Sequence, residues 1–264
     1  MKMYSIASGS SGNCIYVGTD KTHLLIDNGI SGKRVEEGLK KLAMTPKDIL
    51  GILVTHEHSD HIQGLGVLSR KYHIPIYATL ETIAEIMKNK QVGKIDDSLF
   101  HEVRPDMGFC IQDMEIMPVH ISHDAKNPVC YTFCHGKKKM GVATDLGMYD
   151  QYIIHHLLDC DVLLLESNHD KRMLETGTYP YQLKCRILGD KGHLSNDHAA
   201  KLLAKLIGKK LKYIFLGHLS KENNLPDLAY MTVKQELERL TTGLSLEYII
   251  QVADRKKPSC YASI

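Results

Sequence analysis

Apolar and polar positions follow two rhythms along this chain. Near the start, "KMYSIAS" (2–8), "NCIYVGT" (13–19) and "THLLIDNG" (22–29) are short apolar runs split by the Gly/Ser turn "SGSSGN", a pattern that predicts strands. Ser31 precedes "KRVEEGLKKLAM", whose charges lie on one side, so a helix capped by Ser31 and ended by Pro46 is expected. "ILGILVT" (49–55) is continuously aliphatic, the mark of a buried strand. Helical spacing returns in "HIQGLGVLSRKYH" and "LETIAEIMKNK", with the strand "IPIYAT" between them. After a loop, "FCIQDMEIMPV" alternates like sheet, and "VCYTFCHGKKKMGVATD" reads as a hairpin turning near His135 and Gly136. The remainder alternates helix and strand: "DQYIIHHLLD", "DVLLLES", "SNDHAAKLLAKLIGKK" capped by Ser195, "LKYIFLG", "PDLAYMTVKQELERL" opened by Pro226, and a last strand "LEYIIQVA" (246–253). No repeat, low-complexity tract or Pro/Gly-rich linker interrupts the series, which predicts one α/β domain over 1–264 with sheet beneath helices.

Composition narrows this little. Of 264 residues, 43% are hydrophobic and 24% charged, enough for a sizeable core, and a net charge of +2 argues neither for nor against nucleic acid as partner. Trp is absent and aromatics make up 6%, which weakens any reading built on stacking platforms. The seven cysteines (14, 110, 130, 134, 160, 185, 260) form no CxxC pair; Cys130 and Cys134, four apart on a strand, are expected to be small buried hydrophobes in a reducing cytosol. The start of the chain lacks the apolar run of a signal peptide, and no segment reaches the ~18 apolar residues of a membrane span. A cytoplasmic location is expected, with no membrane as partner.

The chemistry is concentrated at strand ends. "GILVTHEHSDH" places His56, His58, Asp60 and His61 directly after a buried strand. Histidine packs worse than leucine, and histidine clustered with carboxylate means metal. His56 and His58 can chelate one ion, while Asp60 and His61 can turn to a second. Further candidates recur at the same kind of place: His120 and His123 in "MPVHISHDA", Asp145 in "MGVATDLG" and His218 in "YIFLGHLS". One such histidine would be unremarked; several, each following an apolar run, predict a metal site.

The pattern H-x-H-x-D-H, followed by a His, an Asp and a His in that chain order, resembles the metallo-β-lactamase superfamily over essentially the whole chain. The resemblance implies a four-layer αβ/βα sandwich, two mixed β-sheets flanked by helices, with a dinuclear site along one edge. It implies one metal on His56, His58 and His123, another on Asp60, His61 and His218, and Asp145 bridging them. His123 is preferred because "SHDA" leads into "NPVCYTF" as in the nuclease branches; His120 is the alternative. Members of the main antibiotic-hydrolysing class carry Cys where this chain has Asp145, diiron flavoproteins carry Glu at His58, and glyoxalase-like thioesterases carry a paired histidine that "VHISHDA" lacks. Zn, Mn and Fe all suit the ligand set.

"GHLSNDHAAKLL" and "LLLESNHD" resemble segments of tRNase Z-like and RNase J-like nucleases, which puts His193 on the scissile phosphate with Glu166 as its partner. The catalytic set implied is therefore Asp60, Glu166 and His193. With "ASGSSGNC" and "YPYQLKCRILGDKGHLSN", the chain resembles the YycJ/WalJ subgroup, bacterial cytosolic proteins regarded as 5′-to-3′ DNA exonucleases. Only the 72 residues 146–217 separate Asp145 from His218, so no β-CASP insert fits. The resemblance thus implies a metal-dependent phosphodiesterase acting on DNA. Another hydrolase of the fold (an RNase, or a small phosphodiester or thioester hydrolase) and a low-activity metal-binding regulatory protein stand as alternatives. His169, Ser8 and Ser10 are candidate substrate contacts, and lysines at 137–139, at 209, 210 and 212, and in "RKK" (255–257) are candidates for gripping the phosphate backbone.

Overall fold

A computed structural model describes residues 1–242 and 247–264. The first half of the chain contains β1 (Lys2–Ala7), β2 (Cys14–Gly18), β3 (His23–Ile26), α1 (Gly32–Lys40), β4 (Gly51–Leu53), α2 (Ser59–Ile62), α3 (Leu65–Tyr72), β5 (Ile76–Ala78), α4 (Leu80–Lys88) and β6 (Phe100–Glu102). The second contains β7 (Phe109–Ile111), β8 (Met114–His120), β9 (Val129–His135), β10 (Lys138–Ala143), α5 (Gln151–Leu157), β11 (Val162–Glu166), α6 (Lys171–Thr176), α7 (Tyr181–Leu188), α8 (Asn196–Leu206), β12 (Tyr213–Gly217), α9 (Pro226–Leu240), β13 (Ile249–Val252) and β14 (Ser259–Ser263).

Two seven-stranded sheets result, in the orders β14-β1-β2-β3-β4-β5-β6 and β13-β12-β11-β10-β9-β8-β7. Each has an antiparallel part, β14 to β3 in one and β7 to β10 in the other, that passes into a parallel part. The pleat explains the aliphatic runs. In β11, Val162 and Leu164 point between the sheets, packing with Ile15, Leu24, Leu53, Phe133 and Phe215, whereas Leu163 and Leu165 meet Leu202, Leu203 and Val233 of α8 and α9. In β3, Leu24 and Ile26 face the other sheet and Leu25 faces α1 and α3. Both faces of these strands are covered, so alternation disappears from their sequence. Three apolar interfaces between four layers make the αβ/βα sandwich.

The layout decides where chemistry can sit. Strands β8, β10, β11, β12 and β13 run one way in their sheet, and β3, β4, β5 and β6 one way in the other, so the carboxyl ends of each set share an edge. Loops leaving that edge are where α/β sheets place ligands.

Several expectations need correction. β6 and β14 were not anticipated: β6 holds three residues, and β14 returns across the molecule to pair with β1. The helix over 33–44 ends at Lys40, well short of Pro46, which opens a short 3-10 turn. Ser31 stands at its N-cap without a side-chain hydrogen bond, whereas Ser195 Oγ does accept from the His198 N–H. The strand expected over 246–253 spans Ile249–Val252 (β13); Leu246, assigned to it from sequence, lies outside the described residues. Of the two cysteines expected to be buried, Cys130 is buried and Cys134 half-buried.

Candidate metal centre

Strand ends deliver every ligand-type residue to one place. His56 lies in the loop after β4, His58 stands at the N-cap of the one-turn helix α2, and Asp60 and His61 lie within that turn. His123 follows β8, Asp145 follows β10 and His218 immediately follows β12. Asp27, Asp145 and His218, each within two residues of a strand end, hold positive φ of 59°, 59° and 55°. Such backbone is uncommon outside glycine, and it clusters at sites where the surroundings force a side chain into place.

Four imidazoles are anchored through Nδ1 and turn Nε2 inward, where His61 Nε2 also lies 3.2 Å from Asn13 Nδ2. His61 Nδ1 lies 2.7 Å from Asp27 Oδ2, His218 Nδ1 2.8 Å from Glu166 Oε1, His123 Nδ1 3.2 Å from the Gly192 carbonyl, and His56 Nδ1 3.0 Å from Thr55 Oγ1. Carboxylate and carbonyl oxygens accept, so each Nδ1 carries the proton and each Nε2 presents a lone pair. Thr55 Oγ1 donates in turn to Asp27. These anchors fix tautomer and ring direction as partners of metal-ligating histidines do.

The donor atoms face one another. His123 Nε2 is 3.2 Å from His58 Nδ1, His61 Nε2 is 3.2 Å from Asp145 Oδ2 and 3.4 Å from Asp60 Oδ2, and His218 Nε2 is 3.2 Å from Asp60 Oδ2. His56 Nε2 and Asp145 Oδ2 are buried with no hydrogen-bond partner. Lone pairs opposed at this range repel unless positive charge sits between them. For tetrahedral bonds of ~2.0–2.1 Å, ligand atoms are about 3.3–3.4 Å apart, so the observed spacings fit shared metal ions. Three triads, His56/His58/His123, His56/His61/Asp145 and Asp60/His61/His218, each keep their donor atoms within 4.8 Å of one another. The residues therefore fit metal ions by spacing, by donor type and by orphaned buried atoms.

Charge points the same way. Burial opposes an imidazolium at His218, but Asp145, Asp60 and Glu166 prevail and its pKa is pushed up to about 10. Burial likewise opposes ionisation of Asp60, and His61 and His218 prevail to hold its carboxyl below the usual range. The pocket attracts positive charge, which a divalent cation can supply in place of protons.

A fourth group, Asp145, Glu166, His193 and His218, is also close enough to chelate. Its Glu166 and its two Nδ1 atoms are already satisfied: Glu166 Oε1 accepts from His193 Nδ1 and His218 Nδ1, both at 2.8 Å, and Oε2 accepts from the Leu146 and Leu194 N–H groups. It is a hydrogen-bond hub, and it turns the free edge of the His193 ring away from the carboxylate. His193 is 17% exposed, its ring 5.2 Å from His123 and 5.4 Å from His218.

His120 is exposed at the end of β8 and belongs to none of the triads, whereas His123 does. Ser8 does not face a substrate: it is fully buried, its Oγ accepts from the His218 N–H and it lies 3.4 Å from Asn13 Oδ1, so it supports the His218 backbone from within. Ser10 is exposed in the turn after β1. His169 is buried beside Ser195. Two lysine clusters lie at the wrong edge: 137–139 and 209–212 precede or begin β10 and β12, opposite the carboxyl ends that carry the site. Arg255 is engaged internally through the Ser220 carbonyl. Asp27 and Thr55 were not singled out from sequence, although "LLIDNG" carries the same strand-then-carboxylate signal.

With the geometry in view, comparison with known proteins becomes informative. The beta-lactamase superfamily domain matches residues 22–215. The chain is 41% identical over 246 residues to exodeoxyribonuclease WalJ of Streptococcus pneumoniae strain D39, covering 93% of this chain and 91% of that protein. The chain belongs to the WalJ/YycJ family of the metallo-β-lactamase superfamily. Exodeoxyribonuclease YycJ of Bacillus anthracis, another member of this family, is 39% identical over 262 residues, 96% of each chain. Among solved structures, Zn(2+)-bound PqqB from Methylobacterium extorquens superposes with a TM-score of 0.74 at 14% identity over the whole of both chains, a likeness of superfamily fold. No helix among the described residues is long and apolar enough to cross a membrane.

Proposed function

We propose that this WalJ/YycJ-family protein is a metal-dependent exodeoxyribonuclease that shortens DNA from a 5′ end. The observation that carries the proposal is the separation of roles at one edge: seven donor side chains converge, while His193, held on Glu166, stays outside the triads with a free ring edge. Relatives at 39–41% identity that bear the name exodeoxyribonuclease support the substrate class. Two divalent ions, Zn, Mn or Fe, are assigned to the centre. His56, His58 and His123 would hold one and Asp60, His61 and His218 the other, with Asp145 available to both. When bound, such ions polarise phosphate oxygens and make water acidic enough to attack near neutral pH. The chain's own part is orientation and proton control. Asp27, Thr55 and Glu166 keep the imidazoles in one tautomer, and His193 donates from its free edge to the phosphate or the leaving 3′ oxygen.

The test is digestion of duplexes labelled at one end, with manganese supplied and the 5′ end free or blocked. Shortening should occur only from free 5′ ends and stop with a chelator. Degradation that ignores the block, or activity confined to RNA or small phosphodiesters, overturns the reading.

A further inference from the structure

Beside His193 a cavity of about 350 Å³ opens, lined by His169, Lys171, Ser195, His198 and Lys201 among others, a size ordinary for small-ligand sites. His169 is 1% exposed, and neither of its ring nitrogens has a hydrogen-bond partner. A buried imidazole left unpaired on both sides is destabilising and calls for a reason. Its backbone is not loose. Asn168 N–H donates to the Leu194 carbonyl at 2.8 Å, Asn196 N–H to the His169 carbonyl at 2.9 Å, and Asp170 N–H to the Asn223 carbonyl at 2.9 Å. The main chain is thus fixed where His169 lines the cavity, and its ring nitrogens, shielded from solvent, have no partner.

Its neighbours are cationic. Lys171 and Lys201 line the same cavity, and Lys171 Nζ lies 3.5 Å from His198 Nε2. Asp190 is the one acidic residue of the lining. The Asp170 carboxylate is turned inward and caps α6 through the Met173 N–H at 2.8 Å. Burial pushes His169 down to about 4, so near neutral pH it offers one N–H donor with no acceptor. His193 lines the cavity too, which connects it directly to the metal centre.

We propose that this cavity is a second phosphate subsite, in which His169, Lys171, His198 and Lys201 hold a phosphate group of the same DNA strand adjacent to the one being cleaved. The proposal rests on the nuclease reading and deepens it by giving a chain end a place to be recognised. Two sources share this chemistry: a terminal 5′-phosphomonoester and an internal phosphodiester. With the lysines at 137–139 and 209–212 on the opposite edge, this cavity supplies cations where the strand must pass.

The experiment compares kcat/KM for short DNA with kcat/KM for bis(p-nitrophenyl) phosphate, a single-phosphate ester too small to reach both places, in wild type, His169→Ala and Lys201→Ala. The DNA-to-ester ratio should fall roughly ten- to a hundred-fold in His169→Ala, the loss of a hydrogen bond to a charged group, and several-fold in Lys201→Ala. Lys201 is exposed on α8, so its variant keeps the proposal testable if His169→Ala folds poorly. A fall confined to 5′-phosphorylated DNA assigns the terminal group, and a fall shared by 5′-hydroxyl DNA assigns the internal one. An unchanged ratio overturns the subsite, including when both activities drop together from misfolding or metal loss. A wild type that hydrolyses the ester and leaves DNA untouched refutes the nuclease reading itself and the subsite with it.

Discussion

His61 shows in one side chain how the centre is built. Its ring is fully buried, its Nδ1 is held by Asp27 at 2.7 Å, and its Nε2 is left 3.2 Å from Asp145 Oδ2. The Asp27 carboxylate also accepts from the Thr55 N–H at 2.8 Å and from the Thr55 hydroxyl, which itself anchors His56. One carboxylate outside the proposed ligand set therefore sets the tautomer of two of its members. Asp27→Ala should weaken metal binding about 10–100-fold, the usual effect of removing such a partner. Competition of wild type and variant against a metal indicator checks this. Equal affinities would mean that His56 and His61 are oriented by packing alone.

At the scale of elements, the seven proposed ligands depend on short pieces of chain pressed together. The turn after β3 lies against α2: Asn28 N–H donates to the His61 carbonyl and Asn13 N–H to the Asp60 carbonyl, both at 2.8 Å. Gly29 sits in this contact, and a Cβ there would overlap the Asp60 carbonyl. Gly29→Ala should displace α2 and with it Asp60 and His61, so metal content falls while the two sheets remain folded. Metal analysis beside a circular dichroism melt reads both, and full metal content in the variant would contradict the account. This contact was invisible in the sequence, because a glycine's tight neighbour lies 31 positions away. Three strands that end at the site were legible for a physical reason: β4, β11 and β12 are buried on both faces, so each is an unbroken apolar run whose end is marked by a polar residue. β6 and β14 were not legible, since β6 has no buried residue and β14, although it buries every second residue, exposes Tyr261 between Cys260 and Ala262, so its residue types do not alternate.

For the whole molecule, two sheets of matching layout place their carboxyl-terminal edges together, and the centre is assembled from both. His56, His58, Asp60 and His61 come from one sheet's loops; His123, Asp145 and His218 come from the other's. The ligand motif was readable because it follows strand ends in order. The roles of the lysines were not, because sequence gives charge without the edge on which it lies; the lysines at 137–139 and 209–212 fall on the far one. A centre shared between sheets also requires each residue to keep one role across the interface, and the account stands on that division: His193 serves the phosphate while Asp145 joins the metals. Metal content per chain, measured on wild type, His193→Ala and Asp145→Ala together with the rate of DNA hydrolysis, tests it most directly. The account predicts about two metals in wild type and in His193→Ala, with the latter slowed on the order of 10²–10⁴-fold, and loss of both metal and activity in Asp145→Ala. Equal metal loss in the two variants would make His193 a ligand and contradict the account.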